Sequence, residues 1–133
     1  MLTLHLDKDV AEMARLADKV QEWCVANGLA DLSPVLNVVL DEAVSNAIHY
    51  GMADGIGRGV EVRLALAGDR VRVEVIDDGI AFNPLALPDP DTSLDIDERG
   101  IGGLGVFLVK SLMDHVHYAR EGGFNHLTLE KAI

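Results

Sequence analysis

The chain has 133 residues, 49% of them hydrophobic and 25% charged, which is the balance of a single globular domain over residues 1–133 and excludes general disorder. Its formal net charge of −11 excludes non-specific binding to nucleic acids or acidic membranes, because contacts with phosphate groups need clustered lysines and arginines. Cys24 is the single cysteine, so a disulfide within the chain is excluded. The sequence shows neither a signal-peptide pattern nor an apolar run of the roughly 18 residues that span a membrane. We therefore expect a cytoplasmic protein.

A short strand and a helix are predicted at the start of the chain. The strand is "TLHL", residues 3–6. From Asp9 to Asn27, apolar side chains recur at helical spacing, which predicts an amphipathic helix. We expect Asp9 to cap the beginning of this helix and Gly28 its end, because an Asp side chain accepts hydrogen bonds from free N–H groups and glycine readily adopts positive φ angles.

A second helix is predicted over residues 33–50, "SPVLNVVLDEAVSNAIHY". Ser33 is expected to be its N-cap, Pro34 is tolerated in the first turn, and Gly51 is expected to stop it.

Two polar side chains lie at the margin of the core-facing side of this second helix. Glu42 and Asn46 are four residues apart and therefore lie on one side of it. At about 100° per residue, the adjacent core-facing arc consists of Leu36, Val39, Leu40, Ala43 and Ala47. Alone, the Glu42 and Asn46 pair indicates either an ordinary boundary between core and solvent or two side chains that serve a cleft.

The second half of the chain predicts two antiparallel hairpins and one further helix. Apolar and polar residues alternate in "VEVRLALA" and "VRVEVID", which flank the turn "GD", and a final hairpin joins "VHYAR" to "FNHLTLEK". Between the hairpins, residues 83–99 predict a mobile loop and residues 104–113 a third helix. Because strands and helices do not alternate one for one, the pattern favours an α+β sandwich over a doubly wound sheet.

The segment "GIGGLG" contains a literal G-x-G-x-x-G at Gly100, Gly102 and Gly105. A dinucleotide site would need a buried strand directly before these glycines, but the preceding residues are acidic and rich in proline. A P-loop would need a Lys-Ser/Thr pair directly after the last glycine, but Val106 follows Gly105. Two interpretations remain: a flexible loop before a helix, or a backbone that approaches phosphate oxygens at a helix N-terminus.

The segment "VEVIDDGIAFNP" places Asp77 at the end of a predicted strand and Gly79 in a sharp turn. Asp77 is either the first residue of an ordinary turn or a fixed acceptor for an amino group.

Four segments in this order resemble the GHKL ATPases, and among these the small anti-sigma-factor serine kinases. The segments are "DEAVSNAIHYG", "DDGIAFNP", "GGLGVFLVKSLMDHVHY" and the tail "GGFNHLTLEK", and the resemblance covers residues 5–131. It implies the Bergerat ATP-binding fold, an α+β two-layer sandwich whose sheet is mixed but mostly antiparallel and carries its helices on one face.

The resemblance also implies a role for each matching residue. Glu42 is the general base, and Asn46 coordinates the Mg²⁺ ion that bridges the phosphates of ATP. Asp77 accepts a hydrogen bond from the adenine amino group. The residues implied to bind the nucleotide are Asn46, Asp77, Gly79, Ala81, Phe82, Gly100, Gly102, Gly103, Leu104, Gly105 and Val106. Segment 83–99 occupies the place of a lid and contains no lysine, and a threonine that holds adenine in other members corresponds to either Asn125 or Thr128.

The implied activity is that of a serine/threonine protein kinase that uses ATP and Mg²⁺. Its substrate would be an anti-sigma-factor antagonist protein, a sigma factor or another regulator would be a second partner, and a homodimer is expected. Two alternatives remain open: a nucleotide-gated binding module with little kinase activity, and a detached catalytic domain that phosphorylates a histidine of another protein.

Overall fold

The computed structural model describes residues 1–7, 11–51, 59–86 and 101–133, and for residues 51 and 101–104 it describes the backbone alone. The strands are β1 (Leu2–Asp7), β2 (Gly59–Ala67), β3 (Arg70–Asp77), β4 (His115–Glu121) and β5 (Phe124–Ala132). The α-helices are α1 (Glu12–Ala26), α2 (Ser33–Asn46) and α3 (Ile101–Leu112). Short 3₁₀ turns lie at Ala30–Leu32 and Pro84–Ala86, and a π turn lies at Ala47–Gly51. None of the helices in the described ranges is long and apolar enough to cross a membrane.

The five strands form one sheet in the order β1-β2-β3-β5-β4. All four pairings between them are antiparallel, so the parallel pairing that a mixed sheet would contain does not occur among the described strands. The central pair is β3 with β5, and its register places Asp77 opposite Asn125. Two residues that are far apart in the sequence therefore lie side by side at one end of the sheet.

The helices cover one face of the sheet, which confirms the predicted two-layer α+β fold. Alternate residues of the central strands, such as Val73 and Leu129, are fully buried against α2, where Leu36, Val39 and Leu40 are also fully buried. The other face is polar and carries ion pairs between neighbouring strands, such as the pair between Arg63 of β2 and Glu74 of β3. This alternation is the period-two pattern of a half-buried sheet.

The ends of α1 and the beginning of α2 differ partly from the prediction. Gly28 has a φ of +71° and ends α1 as expected, whereas the expected cap Asp9 lies outside the described residues. The prediction that Ser33 caps α2 is wrong, because Ser33 is the first residue of the helix and Leu32 precedes it with no side-chain cap. The 3₁₀ turn before it already gives the backbone helical angles, so the buried Ser33 hydroxyl instead accepts a hydrogen bond from Asn37 at 3.4 Å.

Two helix boundaries near the expected site also differ. The second helix was predicted to run to Tyr50, but its α-helical part ends at Asn46 and a π turn follows. Such π turns frequently occur at functional sites. The third helix begins at Ile101 rather than at residue 104, so Gly102 and Gly103 belong to its first turn and not to a loop. Glycine disfavours a helix by about 1 kcal/mol relative to alanine. Helix propensity therefore did not predict that the helix begins before residue 104.

Candidate functional site

Asp77 ends β3 as a buried carboxylate, with 6% of its surface exposed. Its Oδ1 accepts hydrogen bonds from the Gly79 N–H and from Asn125 Nδ2, both at 2.9 Å. Burial raises the pKa of Asp77, while the hydrogen bonds from Asn125 and Gly79 and the charge of Arg120 oppose that shift. The structure therefore holds this carboxylate in one orientation.

Asn125, on β5, connects Asp77 to the loop that follows it. Its Nδ2 donates to Asp77 and to the Ile80 carbonyl at 2.7 Å, while its Oδ1 accepts from the Phe82 N–H at 3.2 Å and from the Tyr118 hydroxyl. The amide is buried, with 4% of the residue exposed. Its orientation is therefore fixed by donors on one side and acceptors on the other.

Of the two candidates for the adenine side, the structure places Asn125 beside Asp77 and not Thr128. Thr128 is opposite Glu74 in the β3–β5 pair, and this register places it on the polar face of the sheet. The fully buried neighbour Leu129 points the other way, into the core. Successive side chains of a strand alternate between faces, so Thr128 cannot line the same cleft as Asp77.

The turn after Asp77 is held from the other side by β4 and covered by an aromatic pair. Arg120 donates to the Gly79 carbonyl at 2.8 Å. Phe82 is half-buried and stacks on Tyr50 of the π turn, with ring centroids 4.9 Å apart and planes 19° apart. Ala81 is exposed.

A small cavity lies between α2 and the sheet, and both Asn46 and Asp77 line it. Its volume is about 20 Å³, which is room for roughly one water molecule. The cavity is lined by Ala43, Asn46, Ala47, Val75, Asp77, Phe82, Pro84, Tyr118, Asn125 and Leu127.

A larger depression of about 510 Å³ also borders Asp77. It is bordered by polar residues of the sheet's outer face, such as Glu61 and Arg63, which are already paired with each other. Among the residues whose side chains the structure describes, neither Asn46 nor any other residue of α2 or α3 borders it. We therefore place the candidate site at the smaller cavity, where three of the predicted residues meet.

Glu42 lies one turn before Asn46 on α2, and both side chains are half-buried, as their position at the margin of the core predicts. The Glu42 carboxylate packs against α3 at Gly105, where a Cβ atom would overlap Glu42 Oε2. Burial, followed by the nearby charge of Asp41, raises the pKa of Glu42. A raised pKa makes this carboxylate a better base than an ordinary exposed glutamate.

The remaining predicted residues divide into two groups. Gly79 is buried in the turn next to Asp77, and Val106 is buried on α3 next to Gly105. Gly102, Gly103 and Leu104 belong to the first turn of α3, where only the backbone is described, and Gly100 lies outside the described residues together with most of segment 83–99.

Sequence reasoning missed three residues of the site, which are Tyr50, Tyr118 and Arg120. Alternation along "VHYAR" places Tyr118 and Arg120 on one face of their strand, which is a usable signal. Their proximity to Asp77 depends on the β4–β5 register, which pairs Arg120 with Asn125.

The comparisons with known proteins agree with this geometry. The sequence model of the histidine kinase-like ATPase domain matches residues 6–131, and this chain belongs to that family. Within it, the chain is similar to proteins named as serine kinases. The serine/threonine-protein kinase BtrW of Bordetella bronchiseptica is 29% identical over 100 residues, which are 75% of this chain and 70% of BtrW.

One further curated protein and one solved structure are also similar to this chain. The serine-protein kinase RsbW of Bacillus licheniformis is 32% identical over 96 residues, and the match spans 66% of this chain and 58% of RsbW. The structure of the RsbU and RsbW domains of Rv1364c from Mycobacterium tuberculosis matches 99% of this chain and 32% of that chain, with a TM-score of 0.65 and 23% identity. This likeness confirms the predicted fold.

Proposed function

We propose that this chain is an ATP-dependent serine/threonine protein kinase that acts as an anti-sigma-factor-type switch and phosphorylates a Ser or Thr of an antagonist protein. One observation carries the proposal. Helix α2 presents Glu42 to the glycine-containing helix α3 and, one turn later, presents Asn46 to the cavity that Asp77 borders. In this proposal Asp77 would recognise the base of the nucleotide, Asn46 would supply an amide oxygen, and Glu42 would be the catalytic base.

At the inner end of this cleft, Asp77 would select adenine. An ionised carboxylate accepts a hydrogen bond from the 6-amino group of adenine, and it repels the carbonyl oxygen that guanine carries at the same place. Because Asp77 is buried, an unsatisfied contact there carries a large penalty. The site therefore favours ATP over GTP.

At the outer end, Glu42 would accept the proton of the attacking hydroxyl. The serine oxygen forms a bond to the γ-phosphorus, the bond from that phosphorus to the β–γ bridging oxygen breaks, and ADP leaves. The proton of the serine hydroxyl passes to the Glu42 carboxylate. Phosphoryl transfer depends mainly on positioning and charge stabilisation, which a site of few residues can provide.

Magnesium would be held on the nucleotide by Asn46. Its half-buried amide borders the cavity, and Mg²⁺ binds oxygen ligands while it retains several waters. No group of three or more His, Cys, Asp or Glu side chains that could hold a metal occurs among the described residues. The donor set fits an ion that enters with ATP and neutralises charge on its phosphates.

The proposed partners follow from the relatives. BtrW and RsbW are named as serine or serine/threonine kinases, and this chain spans 70% and 58% of their respective lengths. We propose an anti-sigma-factor antagonist as the phosphoacceptor, a sigma factor or another regulator as a second partner, and a homodimer as the assembly.

The proposal is tested by phosphotransfer from γ-labelled Mg·ATP to antagonist domains encoded in the same genome. We expect acid-stable phosphate on a serine or threonine, and we expect Glu42→Gln to slow the transfer by about 10²- to 10⁴-fold with little change in ATP affinity. Leu108→Ala, on the solvent side of α3, is the control and should leave the rate unchanged.

Other outcomes contradict the proposal in distinguishable ways. ATP binding without transfer, together with antagonist binding that Glu42→Gln leaves unchanged, indicates a nucleotide-gated binding module. Acid-labile phosphate on the partner indicates a histidine acceptor. Equal affinity for Mg·ATP and Mg·GTP removes the assigned role of Asp77.

A further inference from the structure

The β4–β5 hairpin supplies four side-chain hydrogen bonds to the segment from Asp77 to Phe82. Asn125 makes three of them, to Asp77, to the Ile80 carbonyl and to the Phe82 N–H. Arg120 makes the fourth, to the Gly79 carbonyl. The turn next to Asp77 therefore takes its shape from the hairpin as well as from its own sequence.

The Asn125 amide has no remaining capacity for a ligand. Its two N–H donors are used by Asp77 and Ile80, and its oxygen accepts from Phe82 and Tyr118. A group whose hydrogen bonds are all made inside the protein orients its neighbours instead of binding a base itself. This distinguishes Asn125 from a residue that would contact adenine directly.

Both hydrogen bonds to the Asp77 carboxylate end on the same oxygen, Oδ1. No donor from the described residues bonds Oδ2. A carboxylate held through one oxygen presents the other in a defined direction.

We infer that Tyr118 and Asn125 are positioning residues for base recognition: Tyr118 fixes the Asn125 amide, and Asn125 turns Asp77 so that Oδ2 faces the exocyclic amino group of adenine. This inference rests on the proposed function, since it takes ATP as the ligand. In the series of hydrogen bonds from Tyr118 through Asn125 to Asp77, the Tyr118 hydroxyl is the group farthest from Asp77. Tyr118 also lines the cavity. Base selection thus depends on a residue two hydrogen bonds away from Asp77.

The inference is tested by comparing the affinities of ATP and purine riboside triphosphate, which lacks only the 6-amino group. The wild type should bind ATP about 10- to 100-fold more tightly, as expected for a hydrogen bond to a charged group. Tyr118→Phe should reduce this ratio about 3- to 10-fold, because it removes one hydrogen bond of ordinary strength from the amide. Asn125→Ala should bring the ratio close to one.

Thr128→Val is the matched control, since Thr128 lies on the same strand but faces the other side of the sheet. It should leave the ratio unchanged. If Tyr118→Phe weakens both nucleotides equally, its role is only structural and the inference is overturned. If the wild type binds neither nucleotide, the proposed function fails instead. Thermal unfolding followed by circular dichroism identifies any variant that has lost its fold.

Discussion

Two acidic residues of this site share a raised pKa, and the shift has opposite consequences for the roles proposed for them. Burial is the leading cause in both Asp77 and Glu42. In the proposed function Asp77 must remain ionised to accept a hydrogen bond from the nucleotide base, so its raised pKa works against recognition. Glu42 would take up a proton during transfer, so the same shift makes it a stronger base.

Replacement of Asp77 by asparagine should separate stability from binding. Folded Asp77 holds its proton more tightly than the unfolded chain does, so the ionised form destabilises the fold above its folded pKa and this penalty disappears as pH falls through that value. Asp77→Asn should therefore raise the Tm of the nucleotide-free chain by about 3 °C at pH 8. The gain should vanish in acid, and ATP affinity should fall about tenfold or more.

Calorimetry at several pH values measures the Tm, and titration with Mg·ATP measures the ATP affinity. The exposed Asp69, replaced by asparagine in the same way, should change neither quantity. A nucleotide-free Asp77→Asn chain that is less stable than the wild type at pH 8 would show that the ionised carboxylate contributes to the fold more than its burial costs.

At the scale of elements, the contact between α2 and α3 determines where the Glu42 carboxylate lies. The side chain occupies space that any Cβ at position 105 would need. Both helices pack on the same face of the sheet, so neither can move away without exposing core residues such as Val109. The absence of a side chain at Gly105 therefore leaves room for the Glu42 carboxylate of the neighbouring helix α2.

Gly105→Ala should displace the Glu42 carboxylate while the fold remains intact. Alanine favours a helix by about 1 kcal/mol over glycine, and the overlapping atom is the end of a flexible side chain, so the free energy of unfolding should not fall. The transfer rate should fall by about 10- to 100-fold, because a base displaced by 1 Å loses its alignment. Steady-state kinetics with a phosphoacceptor checks this.

ATP affinity measured by calorimetry on the same Gly105→Ala variant should stay within about threefold of the wild type, since Asp77 and Asn125 are untouched. A Gly105→Ala variant that retains the wild-type transfer rate would contradict the assignment of Glu42 as the base.

Most helices and strands, and the part of the site that lies on α2, were predictable from the sequence because local residue patterns determine them. Helical spacing correctly placed Glu42 and Asn46 at the margin of the α2 core face, and alternation predicted both hairpins. The contributions of Tyr118 and Arg120 were not predictable, because they depend on the pairing of β5 with β3, which places Asn125 opposite Asp77 although 48 positions separate them in the sequence. Long-range pairing of this kind leaves no signal within one segment.

At the scale of the whole molecule, the described residues form one hydrophobic core, to which both layers contribute. The cluster of buried residues extends without a break from β1 through α1 and α2 to β5. Leu6, Val20 and Leu129 belong to it although they lie in three different elements. Domains of this size with one core usually unfold in a single cooperative transition.

Leu129→Ala should lower the free energy of unfolding by about 3 kcal/mol, because it leaves a cavity in a fully buried place. The loss should appear equally in far-ultraviolet circular dichroism and in the fluorescence of Trp23, which lies on α1. Leu66→Ala, at a strand position that is 49% exposed, should cost less than about 1 kcal/mol. Two separate midpoints for the two probes would contradict a single cooperative domain.

The pairing of β3 with β5 has a consequence for synthesis. A ribosome makes residue 77 long before residue 125, and the intervening chain contains α3 and β4. A nascent chain that ends before β5 lacks Asn125, whose side chain bonds Asp77, the Ile80 carbonyl and the Phe82 N–H. The proposed recognition of a base would therefore arise late in translation, when the final hairpin emerges and β5 pairs with β3, and contacts of such long sequence separation form slowly.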